Sequence, residues 1–244
     1  ATDPSASGNA IAALNAVAGQ ALRQDLQGPL RSLQTAPAPY EVRIHRRYNP
    51  EGLSRYNIVP GLIGTILTMT MVMLTGLAMT RERERGTMEN LLATPVRPSE
   101  VMVGKILPYV VMGYIQLAVI LLAAFALFQV PMEGSMLLLM AMIGVFIIAN
   151  LAVGFTFSTI ARNQLQAMQM TFFFFLPSIL LSGFMFPFLG MPGWAQAVGN
   201  ILPLTHFLVL VRGILLKGNG IEMLWPHTWP ILLFTAAVLA LGLK

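Results

Sequence analysis

Five long tracts of this sequence contain no Asp, Glu, Lys or Arg: residues 56–80, 106–132, 134–161, 163–211 and 223–243. About 20 consecutive apolar residues carry a helix across the hydrocarbon layer of a bilayer. Each tract therefore has room for at least one span. Only 10% of the chain is charged and 56% is hydrophobic, whereas a soluble domain carries roughly 25% charged residues. The fold class expected is an all-α integral membrane protein with five visible transmembrane helices.

The spans fall at about residues 57–79, 101–128, 136–160, 166–186 and 228–244. Pro60 lies near the start of the first, where proline is tolerated, and Arg81 is expected to end it. Pro98 and Ser99 restart a helix, with Ser99 as N-cap and Glu100 on the N-terminal dipole. Residues 129–135 make a hairpin loop between the second and third spans, and 161–165 turn into the fourth. From 187 to 225, Pro187, Gly190, Pro192, Gly193 and Pro203 break the apolar run into pieces too short to cross. This region is expected to be a re-entrant or interfacial excursion, with a helix over about 201–217 that stops at Gly218.

Residues 1–57 alone have the composition of a soluble domain. A helix is expected over about 4–27, a strand over 40–48 and a turn over 49–52. So short a piece cannot build a core alone. It is read as the C-terminal part of an α/β extracytoplasmic domain, and residues 58–244 as the transmembrane domain.

Short loops obey the positive-inside rule. Arg81, Arg83, Arg85, Arg97 and Lys105 lie on one side of the second span and Arg162 follows the third, while 129–135 holds no cation. The loop 81–98 and the C-terminus are thus expected in the cytoplasm and residues 1–57 outside. The net charge of +5 follows from this orientation. It forms no aromatic-interleaved basic surface, so no nucleic-acid partner is expected.

Chemistry-bearing clusters are scarce. Without cysteine there is no thiolate site, and His45, His206 and His227 lack metal-ligand spacing, so neither metal nor catalytic residues are expected. Gly104 and Lys105 lack the first glycine and the Ser or Thr of a phosphate loop. Thr68, Asn150, Thr156, Thr171, Ser178 and Ser182 are the polar span residues put forward to line a path, beside the alternative that they only bond within the bundle. Phe172 to Phe175 and the 16 methionines could offer a soft surface to apolar substrates or simply face lipid.

The densest charge lies in residues 81–97, which hold seven of the chain's 15 Lys and Arg and 10 Asp and Glu. Arg81, Glu82, Arg83, Glu84 and Arg85 form a mixed-charge cuff. Gly86 follows, and Thr87 can cap a short helix over 88–93 that Pro95 stops. Met88, Leu91 and Leu92 share one face of it. A helix of that length is marginal in water, so its apolar face needs a partner, and Glu82, Glu84 and Glu89 can form ion pairs with a protein surface.

At this run, Arg81 through Thr94 and Pro95, the sequence resembles the ABC-2 type permeases, the membrane subunits of ABC exporters, in the branch with a large extracytoplasmic domain between its first two spans. Tyr48-Asn49-Pro50, Val59-Pro60-Gly61 and Pro203-Leu204-Thr205 also match. The resemblance implies that the chain holds the family's second to sixth spans and that a first span precedes Ala1. It implies a bacterial inner-membrane location, a second permease copy or paralogue, membrane lipids as surroundings, and an ATP-binding cassette subunit that carries ATP and magnesium. This chain itself would hold no cofactor and hydrolyse nothing. Residues 86–95 would dock on the ATPase, and the substrate would be a small hydrophobic or amphipathic compound. Export of polysaccharide, lipid or ions, or a receptor whose loop recruits a cytosolic partner, are the alternatives.

Overall fold

The computed structural model describes residues 4–20, 53–86 and 98–242. The chain divides into two units, Ala1–Asn57 and Ile58–Lys244. In the first, helix α1 runs over Pro4–Gln20. The rest of the helix expected to residue 27, the strand at 40–48 and the turn at 49–52 lie outside the described residues.

Every regular element among the described residues of the second unit is a helix, with no strand among them. Five helices are long and apolar enough to cross a membrane: α2 (Arg55–Glu84), α3 (Pro98–Ala126), α4 (Met136–Ile160), α5 (Gln164–Leu181) and α8 (Ile221–Gly242). Between the last two lie a single 3-10 turn, Phe188–Gly190, and two shorter helices, α6 (Gly193–Ile201) and α7 (Pro203–Lys217).

Helix α4 starts and stops where its sequence dictates. The Ser135 side chain accepts from the Leu138 N–H, and Ala161 is the C-cap. It is the central helix of the unit, packed against α3, α5, α7 and α8. The most apolar window is 56% buried in both α2 and α4 but only 17% buried in α3 and α5, so the first pair forms the core and the second turns most of its surface outward. Ile143, Phe146, Ile147 and Leu151 of α4 are almost fully enclosed, and the Phe146 ring stacks on Phe207 of α7 at 3.9 Å between centroids.

Four boundaries differ by three residues or more from those read off the sequence. Helix α2 continues through Arg81, Glu82, Arg83 and Glu84, because charged side chains outside the apolar layer do not interrupt backbone hydrogen bonding and Arg and Glu are good helix formers. Its stop is Gly86, at φ 69°. Helix α3 already includes Ser99, which is therefore not its N-cap. Helix α5 ends at Leu181, five residues short of 186, because Gly183 takes φ 84°. Helix α8 begins at Ile221 rather than near 228, with Pro226 and Pro230 inside it; prolines are accommodated in membrane helices where neighbours satisfy the freed carbonyls.

Helices α6 and α7 meet at an 81° bend. The bend leaves the last carbonyls of α6 without helical donors, and the first turn of α7 supplies them. Thr205 Oγ1 donates to the Gly199 carbonyl at 2.6 Å, and His206 Nε2 lies 2.8 Å from the Asn200 carbonyl. A Cβ on Gly199 would strike the Leu181 backbone at the end of α5. The far end of α7 meets the loop between α3 and α4, where the Glu133 N–H donates to the Leu215 carbonyl. The pair thus starts and finishes at the same end of the helical bundle, the end opposite Glu84.

Candidate functional site

Helix α2 is roughly 45 Å long at 1.5 Å per residue, more than a hydrocarbon layer of about 30 Å requires. Its last charged turn therefore projects beyond the apolar part. There it meets the turn between α4 and α5. The Arg83 guanidinium donates to the carbonyls of Thr159, at 3.1 Å, and Ser158, at 3.4 Å. Both are among the final carbonyls of α4, which lack helical donors and sit at the negative end of its dipole.

Glu84 makes the complementary contact with the next helix. Its carboxylate accepts the Gln164 N–H at 2.8 Å and a second hydrogen bond from the Gln164 side chain. Gln164 opens α5, so the carboxylate lies at the positive end of that dipole. Hydrogen bonds from the Gln164 side chain and backbone hold the Glu84 carboxyl below the usual carboxylate range. Asn163 completes the turn by accepting the Gln166 N–H at 2.8 Å. Arg81 and Arg85 are exposed and Glu82 is half-buried. The sequence offered the glutamates to a partner's surface, but Glu84 is engaged within the chain. Thr87, Met88, Glu89, Leu91, Leu92, Thr94 and Pro95 lie outside the described residues.

A sequence profile described as "ABC-2 family transporter protein" matches residues 1–244. The chain belongs to the ABC-2 transporter family. It is 35% identical over 211 residues to the "Probable multidrug ABC transporter permease YbhS" of Escherichia coli strain K12, covering 86% of this chain and 55% of that protein. To the "Probable multidrug ABC transporter permease YbhR" of the same strain it is 30% identical over 217 residues, 89% of this chain and 59% of that one. To "Inner membrane transport permease YhhJ" it is 33% identical over 230 residues, 90% of this chain and 57% of that one. The chain thus spans a little over half the length of these relatives.

In this ABC-2 chain the six polar residues put forward for a path are all buried, and each bonds to its own helix. Thr68 donates to Gly64, Asn150 to Phe146, Thr156 to Ala152, Thr171 to Ala167, Ser178 to Phe174 and Ser182 to Ile179. Thr156 Oγ1 also lies 3.0 Å from the Val238 carbonyl of α8. They do not form one cluster. Thr171 of α5 sits beside Gly76 of α2, whose nearest neighbour is the Gly154 carbonyl of α4. Asn150 lies one helical turn before Gly154, while Ser178 and Ser182 lie towards the other end of α5.

The crossing at Gly76 and Gly154 also holds a residue that the sequence did not single out for the path. Thr75 is fully buried there, and its Oγ1, like Asn150 Oδ1, has no hydrogen-bond partner among the described residues. A second missed contact joins two histidines 21 positions apart, His206 and His227, whose Nδ1 atoms lie 3.3 Å apart. The available signal for the first was glycine in two apolar helices, which marks close approach. For the second there was none, since only the bend and the α7–α8 turn bring the rings together.

Proposed function

We propose that this chain is the membrane-embedded part of an exporter permease, paired with a second permease and driven by a separate ATP-binding cassette subunit that carries ATP and magnesium. The observation that carries the reading is family membership, with identities of 30% to 35% to proteins named as transport permeases. Residues 86–95 dock on the ATPase, with Met88, Leu91 and Leu92 as the apolar contact. The described geometry supports a transmission route from there. Residue 86 follows directly on the turn in which Arg83 grips the end of α4 and Glu84 the start of α5. A push on the docking segment is therefore delivered to three helices together, as coupling through a rigid element requires.

The substrate is a small hydrophobic or amphipathic compound, the class suggested by relatives named as multidrug permeases. Thr75, Asn150 and Thr171, at the crossing of α2, α4 and α5, are the polar groups it meets. Residues 1–57 lie outside the cell, and the docking segment and C-terminus lie in the cytoplasm. The α6–α7 pair is a re-entrant excursion from the outer side, a reading supported by its two ends lying at the same end of the bundle. Reconstitution of the full-length permease with its ATP-binding subunit tests the proposal. ATP-dependent efflux of a hydrophobic cationic dye is expected. Failure of the two proteins to associate, with no change in ATP hydrolysis, would overturn it.

A further inference from the structure

We propose that His206 and His227 form a two-histidine site for a borderline divalent cation of the zinc, nickel or copper type. The site joins the bent α6–α7 pair to the last span. His206 stands in the first turns of α7 and His227 in the second turn of α8, and their Nδ1 atoms face each other at 3.3 Å. His206 Nε2 lies 2.8 Å from the Asn200 carbonyl. A carbonyl can only accept, so this nitrogen carries the proton of the neutral ring and Nδ1 keeps its lone pair.

That arrangement is the usual support for a metal-ligating histidine, whose second nitrogen donates to a carbonyl and so fixes tautomer and ring orientation. Without a cation, the lone pair of His206 accepts the Nδ1 proton of His227. When His227 instead carries its proton on Nε2, two lone pairs face each other across that gap, with the ring centroids 5.6 Å apart. Tetrahedral coordination with metal–nitrogen bonds of 2.0–2.1 Å sets neighbouring nitrogens about 3.4 Å apart. The observed separation matches that edge; because the rings meet nearly end to end, a cation seats to one side of the line between the nitrogens, and each imidazole tilts towards it by side-chain rotation.

Imidazole pairs select zinc, copper and nickel over magnesium and calcium, which require oxygen ligands. No group of three or more His, Cys, Asp or Glu able to hold a metal exists among the described residues, so water completes the coordination. The site can be reached from water. Both histidines are only half-buried, and Trp225 and Trp229, which flank His227, are 56% and 50% exposed, as tryptophans at a membrane–water interface are. A cation held here fixes the first turn of α7 to α8, and through Asn200 the end of α6.

The test uses the full-length protein in detergent, without a polyhistidine tag, and follows Tm as zinc, nickel, copper or magnesium chloride is added. A rise in Tm with the first three and none with magnesium is expected, and His206→Ala or His227→Ala should each abolish it. His206→Gln, which keeps a donor for the Asn200 carbonyl, serves where the alanine variant does not fold. Cobalt supplies a second reading, since tetrahedral nitrogen coordination intensifies its visible absorption. Absence of any rise overturns the site. So does a rise that survives both substitutions, which would place the cation elsewhere, for example at His45. The outcome does not depend on the ATPase or on export.

Discussion

Arg83 and Glu84 show how two neighbouring residues of opposite sign can serve one purpose. The cation meets the carbonyl end of α4 and the anion the amide end of α5, so each charge sits where the adjoining dipole favours it. Reversing the pair, Arg83→Glu with Glu84→Arg, sets both charges against both dipoles. The double variant is expected to insert and to bind its ATP-binding subunit normally, but to export several-fold more slowly per ATP hydrolysed. Equal export in proteoliposomes would show that the contacts do not transmit force. Asn150 poses a different problem, because its Oδ1 is buried with no partner among the described residues. Its Nδ2 donates only to the Phe146 carbonyl, which the helix ladder already satisfies, so removing the amide orphans no group and relieves the unsatisfied oxygen. Asn150→Leu is therefore expected to leave Tm unchanged or raised while lowering export. A clear fall in Tm would instead mark the amide as structural.

At the scale of helices, the crossing of α2 and α4 depends on Gly154. A Cβ there would lie 2.6 Å from the Val72 carbonyl and 2.9 Å from Thr75 Cβ, and backbone cannot yield as a side-chain tip can. Gly154→Ala is expected to cost about 1–3 kcal/mol, as overpacking does, and to lower Tm. A wild-type Tm would mean the helices separate freely. The docking segment carries the corresponding functional prediction: Leu91→Asp should abolish export and association with the ATPase while leaving membrane insertion intact, as fractionation and pull-down would show. Much of this level was legible in the sequence, for definite reasons. Ser135 and Ala161 bracket an uninterrupted apolar run, so α4 falls on the residues expected, and Gly218 at φ 63° ends α7 as its type predicts. The errors arose where apolarity was taken for helix. Charge stops the membrane but not the backbone, so α2 runs on to Glu84; apolarity continues past Gly183, where the backbone turns. Contacts between distant segments, such as Glu84 with Gln164, leave no periodic trace in either stretch.

For the whole molecule the question is which way the bundle faces the membrane. One end gathers Glu84, Thr159 and Gln164, and the other gathers Glu133, Leu181 and Leu215. An odd number of crossings puts the start of α2 and the end of α8 at opposite ends, and Thr156 next to Val238 agrees with α8 running towards the Glu84 end. Arg81, Arg83, Arg85 and Arg162 stand at that end, and Arg212 and Lys217 stand towards the other; the positive-inside rule counts the cations of the short loops, so the orientation proposed above puts the Glu84 end in the cytoplasm. The sequence contains no cysteine, so single cysteines report orientation without background. Position 134 is unsuitable, since a Cβ on Gly134 would collide with the Ile214 carbonyl, whereas Glu133 is exposed. Glu133→Cys is expected to react with an impermeant maleimide added outside intact spheroplasts. Asn90→Cys should react only after the membrane is opened. Labelling of Asn90→Cys alone from outside would reverse the orientation and remove the ATPase from reach of residues 86–95, and labelling of both would overturn the placement of the two loops at opposite faces. Labelling of Glu133→Cys alone would leave that segment on the side where ATP is, as force transmission through Arg83 and Glu84 requires.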